Sequence, residues 1–254
     1  MSDSSGIAVV IGASHGIGLA MVRDLLTRPQ VTRVYAASRQ AVLSDELNNL
    51  AVAQGERLQV LSVDSTREAD IVRLANEVRE RDHRLHWLVN CAGILHDAAR
   101  SIRPEKRLEQ VDTAHLEALF RLNAFAPILL AKHFLPLLTH DEPACFASLS
   151  ARVGSITDNQ LGGWYSYRAS KAAQNQFIRT FAIEAQRRAP NLTCLVLHPG
   201  TTDTGLSKPF QKNVPEGKLF SPAFVAEHLL DLVLTRTPAD SGRFLAWDGS
   251  DIPW

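Results

Sequence analysis

Seven short apolar runs recur along the 254-residue chain, and longer segments with helical spacing separate them. The runs cover residues 7–11, 33–37, 58–63, 85–90, 144–150, 192–198 and 243–247. The first, Ile-Ala-Val-Val-Ile at 7–11, is continuously apolar rather than alternating, which is typical of parallel strands that are buried on both faces. We therefore predict an α/β fold, with a doubly wound parallel sheet of seven strands and helices on both faces.

The charge balance excludes several classes of partner. Lys plus Arg number 27 and Asp plus Glu number 27, so the formal charge is zero, and neither nucleic acid nor an anionic membrane is favoured as a partner. Hydrophobic residues make up 45% of the chain, which is enough for a sizeable core. Because no repeat, low-complexity tract or linker interrupts the pattern, we predict one domain over residues 1–254.

The cysteines and the N-terminal segment predict a cytoplasmic protein. Cys91, Cys145 and Cys194 lie in apolar stretches without metal-ligand spacing, so we predict buried thiols, no disulfide and no metal site. Residues 1–6 lack the features of an export signal. The most apolar segment, 122–138, contains Asn, Lys, His and two Pro residues, so we predict that it does not span a membrane.

A glycine-rich turn follows the first predicted strand and precedes an amphipathic segment that extends to about residue 28. Glycines at such a turn let the backbone approach a pyrophosphate, whose charge then lies at the positive end of the helix. The glycine spacing of 1, 5 and 7 differs from the usual 1, 3 and 6, but the position between a strand and a helix supports a Rossmann-type nucleotide site. The candidate residues of this turn are Gly12, Ser14, His15, Gly16, Ile17 and Gly18.

The end of the second predicted strand indicates which dinucleotide binds. An enzyme selective for NAD would carry an acidic residue about 20 positions after the turn, whereas a 2′-phosphate needs a cation there. Arg39 lies 21 residues beyond Gly18, next to Ser38, and no acid occurs before Asp45. The sequence therefore predicts NADP(H), with Arg39, Ser38 and His15 as candidate phosphate contacts.

Tyr167 and Lys171 form the candidate catalytic pair. They are four residues apart, so on a helix they share one face. An ammonium group beside the phenol stabilises the phenolate, which would let Tyr167 act as a general acid and base on a carbonyl or alcohol oxygen. Tyr165 has Ala169 at the same spacing and is the weaker candidate.

With these features in order along nearly its whole length, the sequence resembles the short-chain dehydrogenase/reductase family. Asn90-Cys-Ala-Gly93 is similar to the family's Asn-Asn-Ala-Gly turn, with Cys91 as a departure, and Asp64 matches an acid that contacts adenine. The resemblance implies a catalytic set of Asn123, Ser150, Tyr167 and Lys171. It also implies cofactor contacts from Asp64, Asn90, Ala92, Gly93, Tyr167, Lys171, Pro199, Gly200, Thr202 and Thr204.

The resemblance assigns a role to each member of that set. Tyr167 would pass the proton, Lys171 would bind the nicotinamide ribose, and Asn123 would position a water molecule. Ser150 would hydrogen-bond the substrate oxygen, although it lies 17 residues before Tyr167, about four more than is usual in the family. Ser148, two residues earlier, remains the alternative, and we favour Ser150 because it is nearer the carboxyl end of its strand.

Together these features predict an NADP(H)-dependent oxidoreductase that transfers hydride reversibly between NADPH and a small carbonyl compound or alcohol. Residues 202–220 are long for a connection and are predicted to form a substrate lid, while the charged run 103–107 is predicted to be a solvated face. The segment 150–171 and the C-terminus resemble C-factor-type members, a group named for an intercellular signal. An NADP-binding regulatory protein with little turnover is therefore the alternative, and a homodimer or homotetramer is implied by resemblance.

Overall fold

A seven-stranded parallel sheet forms the centre of the computed structural model, which describes residues 6–254 except for the side chain of Asn213. The main sheet has the strand order β3-β2-β1-β4-β5-β6-β9, and β7 pairs with β8 in a separate two-stranded sheet. This confirms the predicted doubly wound topology. The strands are β1 (Gly6–Ile11), β2 (Val31–Ser38), β3 (Leu58–Ser62), β4 (Trp87–Asn90), β5 (Ala144–Leu149), β6 (Leu192–His198), β7 (Thr201–Thr202), β8 (Leu219–Phe220) and β9 (Arg243–Ala246).

Helices cover both faces of the sheet. One core cluster joins α1, α2 and α7 to the sheet, and a second joins α3, α5 and α6 to its other face, while α4 packs against α6. The helices are α1 (Gly16–Thr27), α2 (Asp45–Gln54), α3 (Glu68–Asp82), α4 (Thr113–Phe120), α5 (Ala126–Leu138), α6 (Tyr165–Arg188) and α7 (Pro222–Thr235). The central strands of the main sheet are thus enclosed between two helical layers, as the sequence predicts.

Strand β1 shows why the central runs are continuously apolar. All six of its residues are buried, and they alternate between the two core clusters. Val9 and Ile11 belong to the cluster with α3, α5 and α6, whereas Ala8 and Val10 belong to the other. Because successive side chains point to opposite faces, a strand covered on both sides has no solvent-facing position.

The fourth strand begins two residues later than predicted. The Leu85 amide donates to the carbonyl of Leu137 in the helical layer instead of to a neighbouring strand, so Leu85 lies outside the strand. His86 is buried beneath the sheet, where its Nδ1 accepts from the Ile7 amide over 3.1 Å. Its Nε2 lies 2.8 Å from a carboxylate oxygen of Glu142.

The long apolar segment 113–138 is divided by a π-helical turn over Arg121–Phe125. π turns insert one extra residue per turn and are frequent at functional sites. Asn123 lies in this turn and is fully buried. By length and composition Thr113–Leu138 would suffice to cross a membrane, but half of its most apolar window is buried in the fold, where α5 packs against α3 and α6.

Candidate active site

Close backbone packing excludes side chains from the glycine turn between β1 and α1. A Cβ on Gly18 would lie 2.3 Å from the Gly12 carbonyl oxygen, and one on Gly12 would lie 2.8 Å from the Ala92 amide nitrogen. Gly12 also has φ +81°, a conformation that favours glycine. Helix α1 begins at Gly16 with no acidic residue in its first turn, so its amides and positive dipole end remain available to an anion.

Two polar residues, Ser38 and Arg39, lie at the end of β2. The Ser38 side chain is buried, and its Oγ makes no hydrogen bond within the described residues. The exposed Arg39 forms no salt bridge with any residue that the structure describes. The exposed His15 ring lies 3.0 Å from the Ser14 hydroxyl. A buried hydroxyl without a partner is costly, and the neighbouring exposed guanidinium is suited to an anionic ligand at the end of β2.

Asp64 follows β3, where its carboxylate stabilises the adjoining turn. Its Oδ1 accepts from the Thr66 amide at 3.0 Å and from the Thr66 hydroxyl at 2.7 Å. The Asp64 amide in turn donates to Asp70. The side chain is half-buried, so one carboxylate oxygen remains for other contacts.

Asn90 and Asn123 hold the segment after β4 in place. Asn90 Nδ2 donates to the Ser148 hydroxyl at 2.9 Å. Asn123 accepts from the Ile94 amide and donates to the Ile94 carbonyl, both at 2.8 Å, so it pairs with that backbone as a neighbouring strand would. Gly93 lies between these contacts and Lys171, since a Cβ there would come within 3.6 Å of Lys171 Nζ.

Tyr167 and Lys171 lie on the first turns of α6 and are both buried, at 6% and 3% exposure. Lys171 Nζ lies 5.9 Å from the centre of the Tyr167 ring and donates to Leu149 O and Gln174 Oε1, each at 2.9 Å. Burial raises the pKa of the Tyr167 phenol and lowers the pKa of Lys171 from 10.5 to about 7. Tyr165, by contrast, is 41% exposed.

Neither candidate serine hydroxyl makes a hydrogen bond to Tyr167 within the described residues. Ser148 Oγ accepts from Asn90 and from Gln174, both at 2.9 Å, inside the sheet–helix interface. Ser150 Oγ donates to Asn175 Oδ1 at 2.6 Å and is 4% exposed. The expected contact between Ser150 and the substrate oxygen therefore has no support in this geometry.

The segment predicted to be a lid contacts the glycine turn and packs against the hydrophobic cluster that contains Tyr167. Thr204 faces Gly16, where a Cβ would meet its methyl group at 3.2 Å, and Thr202 is buried with its hydroxyl 3.4 Å from the Pro199 carbonyl. Gly200, with φ +72°, lies against the Phe220 ring. The Phe210 ring of this segment packs 5.0 Å from the Trp164 ring, which itself lies 6.2 Å from Tyr167.

Two buried polar residues near the site, Gln174 and Glu105, were not predicted from the sequence. Gln174 is fully buried and joins Lys171 to Ser148, and its position three residues after Lys171 on the same helix could have suggested this. Glu105 was placed on a solvated face, which is wrong, because it is 3% exposed. Its carboxylate accepts from the Ser166 hydroxyl and amide, so it stabilises the N-terminus of α6, and no local pattern marks this long-range contact.

These features fit a dinucleotide cofactor. The glycine turn admits a close backbone approach, the helix end attracts phosphate, and the end of β2 places the cationic Arg39 beside a Ser38 hydroxyl that has no hydrogen bond within the described residues. Lys171 has a third N–H beyond the two that it uses, and Gly93 leaves space beside it. The geometry suits a nucleotide that extends along the carboxyl ends of the strands from β2 to the phenol of Tyr167.

Comparison with known proteins agrees with this geometry. A sequence model of the short chain dehydrogenase family matches residues 6–215. The 1-hydroxy-2-glutathionyl-2-methyl-3-butene dehydrogenase of Rhodococcus sp. is 29% identical over 247 residues, covering 97% of this chain and 98% of that one. C-signal of Myxococcus xanthus is 31% identical over 147 residues, covering 58% of this chain and 83% of that one.

A solved structure shows the same architecture. The NADPH-bound carbonyl reductase from chicken fatty liver superimposes with a TM-score of 0.85 at 28% identity, covering 98% of this chain and 99% of that one. The strand order, the glycine turn and the Tyr167–Lys171 pair described above agree with this likeness. The chain belongs to the short chain dehydrogenase family and is an NAD(P)-dependent oxidoreductase.

Proposed function

We propose that this protein is an NADP(H)-dependent carbonyl reductase in which Tyr167 is the general acid and base. The observation that carries the proposal is the Tyr167–Lys171 pair, which is buried at the carboxyl ends of the strands beside a glycine turn suited to a dinucleotide. The likeness to a carbonyl reductase with bound NADPH supports it.

The chain's own residues provide the proton transfer and the orientation. Because burial raises the pKa of Tyr167, the phenol is protonated at neutral pH and can donate to a carbonyl oxygen. Lys171, with a pKa of about 7, is able to release and regain a proton near neutrality and so to restore the phenol. Its free N–H binds the nicotinamide ribose. The bound cofactor supplies the hydride to the carbonyl carbon, and an alcohol results.

Selectivity for NADP(H) is proposed from the end of β2. Arg39 is exposed without a carboxylate partner in the described residues, and Ser38 Oγ has no hydrogen bond there. An Arg guanidinium binds a phosphate through two parallel hydrogen bonds, which the 2′-hydroxyl of NAD cannot match. His15 and Ser14 lie on the facing turn and provide further donors.

Closure of the site is proposed for the segment 202–220. His96 Nε2 lies 3.1 Å from the Leu206 carbonyl, and Phe210 packs on Trp164, so these contacts connect the middle of the segment to the site. Trp164 lies above Tyr167, which gives the pocket an aromatic wall. A small, partly apolar carbonyl compound fits such a pocket.

An oligomer is proposed from the exposed aromatic residues of the α4–α5 region and α6. Phe120 and Phe125 pack edge to face at 6.1 Å, and Phe125 is 44% exposed. Phe177 on α6 is 37% exposed. Large exposed apolar groups are typical of subunit contacts, so a homodimer or homotetramer is expected, and light scattering would test it. One domain over residues 1–254 and a cytoplasmic location stay predictions.

A regulatory NADP-binding protein is the second candidate, favoured by the 31% identity to C-signal. The two candidates differ in turnover. A pure binding protein has no chemical need for a buried phenol beside an ammonium group, which weighs against this alternative.

Titration and turnover test both candidates. NADPH is expected to bind at least about tenfold more tightly than NADH, and Arg39→Ala removes this preference, whereas Arg187→Ala, an exposed arginine on the far end of α6, retains it. With NADPH and a panel of aldehydes and ketones that includes para-nitrobenzaldehyde, Tyr167→Phe is expected to lower kcat at least about 100-fold. Tyr165→Phe is the matched control. Tight binding without turnover across the panel would favour the regulatory candidate.

A further inference from the structure

Ser150 belongs to a closed set of buried polar groups. Its Oγ donates to Asn175 Oδ1 at 2.6 Å, and Asn175 Nδ2 donates to the Gly154 carbonyl at 3.3 Å. Ser150, Asn175 and Gly154 are all buried. The two hydrogen bonds fasten the segment after β5 to α6, and they satisfy both polar ends of the Asn175 amide.

The position of Asn175 on α6 separates this set from the phenol. Asn175 lies eight residues after Tyr167, which corresponds to about 12 Å of helix rise. Side chains on a helix tilt toward its N-terminus, and because both residues share this tilt, it does not bring the Tyr167 ring nearer to the Asn175 amide. The Ser150 hydroxyl is therefore hydrogen-bonded to a residue that lies about two helical turns beyond Tyr167.

Ala151, the next residue, packs with the hydrophobic residues around Tyr167. Its methyl group packs against a cluster that also contains Tyr167, Val153 and Trp164. Ala151 is half-buried, whereas Ser150 is buried. Successive residues of extended chain point to opposite sides, so the two neighbours cannot both face the substrate.

We infer that Ala151, not a serine, lies beside Tyr167 at the reacting end of the site, and that Ser150 has a structural role in fastening residues 150–154 to α6. This inference rests on the proposed function. In reduction, hydride from NADPH reaches the carbonyl carbon, and the Tyr167 proton reaches the oxygen, so that carbonyl is reduced to alcohol and NADPH is oxidised. Because the methyl group of Ala151 donates no hydrogen bond, Tyr167 holds the substrate oxygen without help from a serine hydroxyl.

Substitutions at the two neighbouring positions test the inference in the full chain with NADPH and para-nitrobenzaldehyde. Ser150→Ala is expected to keep kcat within about threefold and to leave its pH profile unchanged. Ala151→Ser adds a hydroxyl beside the phenol, and it is expected to change kcat/KM at least about fivefold and to shift the limb of the pH profile that belongs to Tyr167. A 100-fold loss of kcat in folded Ser150→Ala, or unchanged kinetics in Ala151→Ser, would overturn the inference.

Thermal unfolding tests the structural role without any substrate. Ser150→Ala and Asn175→Ala are each expected to lower Tm by about 2–8 °C, and the double variant is expected to lose less than the sum, because both changes remove the same hydrogen bond. Fully additive losses would contradict the inference. Tyr167→Phe distinguishes a failure of the proposed function from a failure of this inference. Full turnover by that variant refutes the proposed function, whatever the result at positions 150 and 151.

Discussion

Replacement of Lys171 by methionine is expected to stabilise the protein near neutral pH while it abolishes turnover. Lys171 is 3% exposed, and burial lowers its pKa from 10.5 to about 7. The folded state therefore holds the lysine proton less tightly than the unfolded chain does. Methionine has a similar length and no charge, so it can occupy the same space without this cost.

The magnitude follows from the difference in pKa. A gap of this size costs the folded state about 4 kcal/mol at pH 7, at about 1.4 kcal/mol for each pKa unit. Methionine leaves Leu149 O and Gln174 Oε1 without the donor that each now has, which costs about 1 kcal/mol or more for each acceptor. A net gain of about 1–2 kcal/mol is expected, which corresponds to a rise in Tm of about 2–8 °C.

The sign of the pH dependence gives the sharper test. Between pH 7 and 10.5 the unfolded chain binds the Lys171 proton and the folded protein does not, so the stability of the wild type rises with pH relative to the variant. The advantage of Lys171→Met is expected to shrink by about 2 kcal/mol between pH 7.5 and 9.

Urea unfolding of both proteins across this range, at one fixed protein concentration, measures the difference. Taking the difference cancels the contribution of the cysteines, whose burial raises their thiol pKa values in both proteins. Parallel curves for the two proteins would refute the reasoning, because they would show that Lys171 binds its proton equally well in both states.

Three further predictions concern residues around the sheet and α6. Glu105→Ala is expected to lower the free energy of unfolding by about 1–3 kcal/mol in urea titrations, because the Ser166 amide and hydroxyl lose their acceptor, and Glu105→Gln is expected to lose less. Gln174→Glu places a carboxylate beside Lys171 Nζ and raises the pKa of Lys171. The limb of the kcat pH profile that belongs to Lys171 is therefore expected to move to higher pH. An unmoved limb would show that the protonation of Lys171 does not control kcat. Burial lowers the pKa of His86, so the stability that it contributes is present above its unfolded value of 6.5 and lost as the pH falls below it; acid titration of His86→Gln is expected to show a weaker loss than the wild type.

Local patterns were sufficient to predict the order of the elements. The continuous apolar runs identify strands that are buried on both faces, and β1 shows the reason, because its alternate residues enter two different cores. The glycine turn and the Tyr167–Lys171 spacing are equally local, since each depends on a few residues within one turn or one helix. These local patterns are therefore enough to predict the fold class and the residues on which the candidate site is built.

Which polar side chains face the site depends on contacts between distant segments of the folded chain. Ser150 and Ala151 are neighbours, and only the path of the chain after β5 shows that the hydroxyl bonds to Asn175 while the methyl packs against the cluster that contains Tyr167. Glu105 lies in a charged run whose composition predicts exposure, yet it is buried against a helix end that begins 60 residues later. Contacts of this kind join distant segments, and the direction of a side chain depends on what packs around it, so periodicity and spacing carry no information about them.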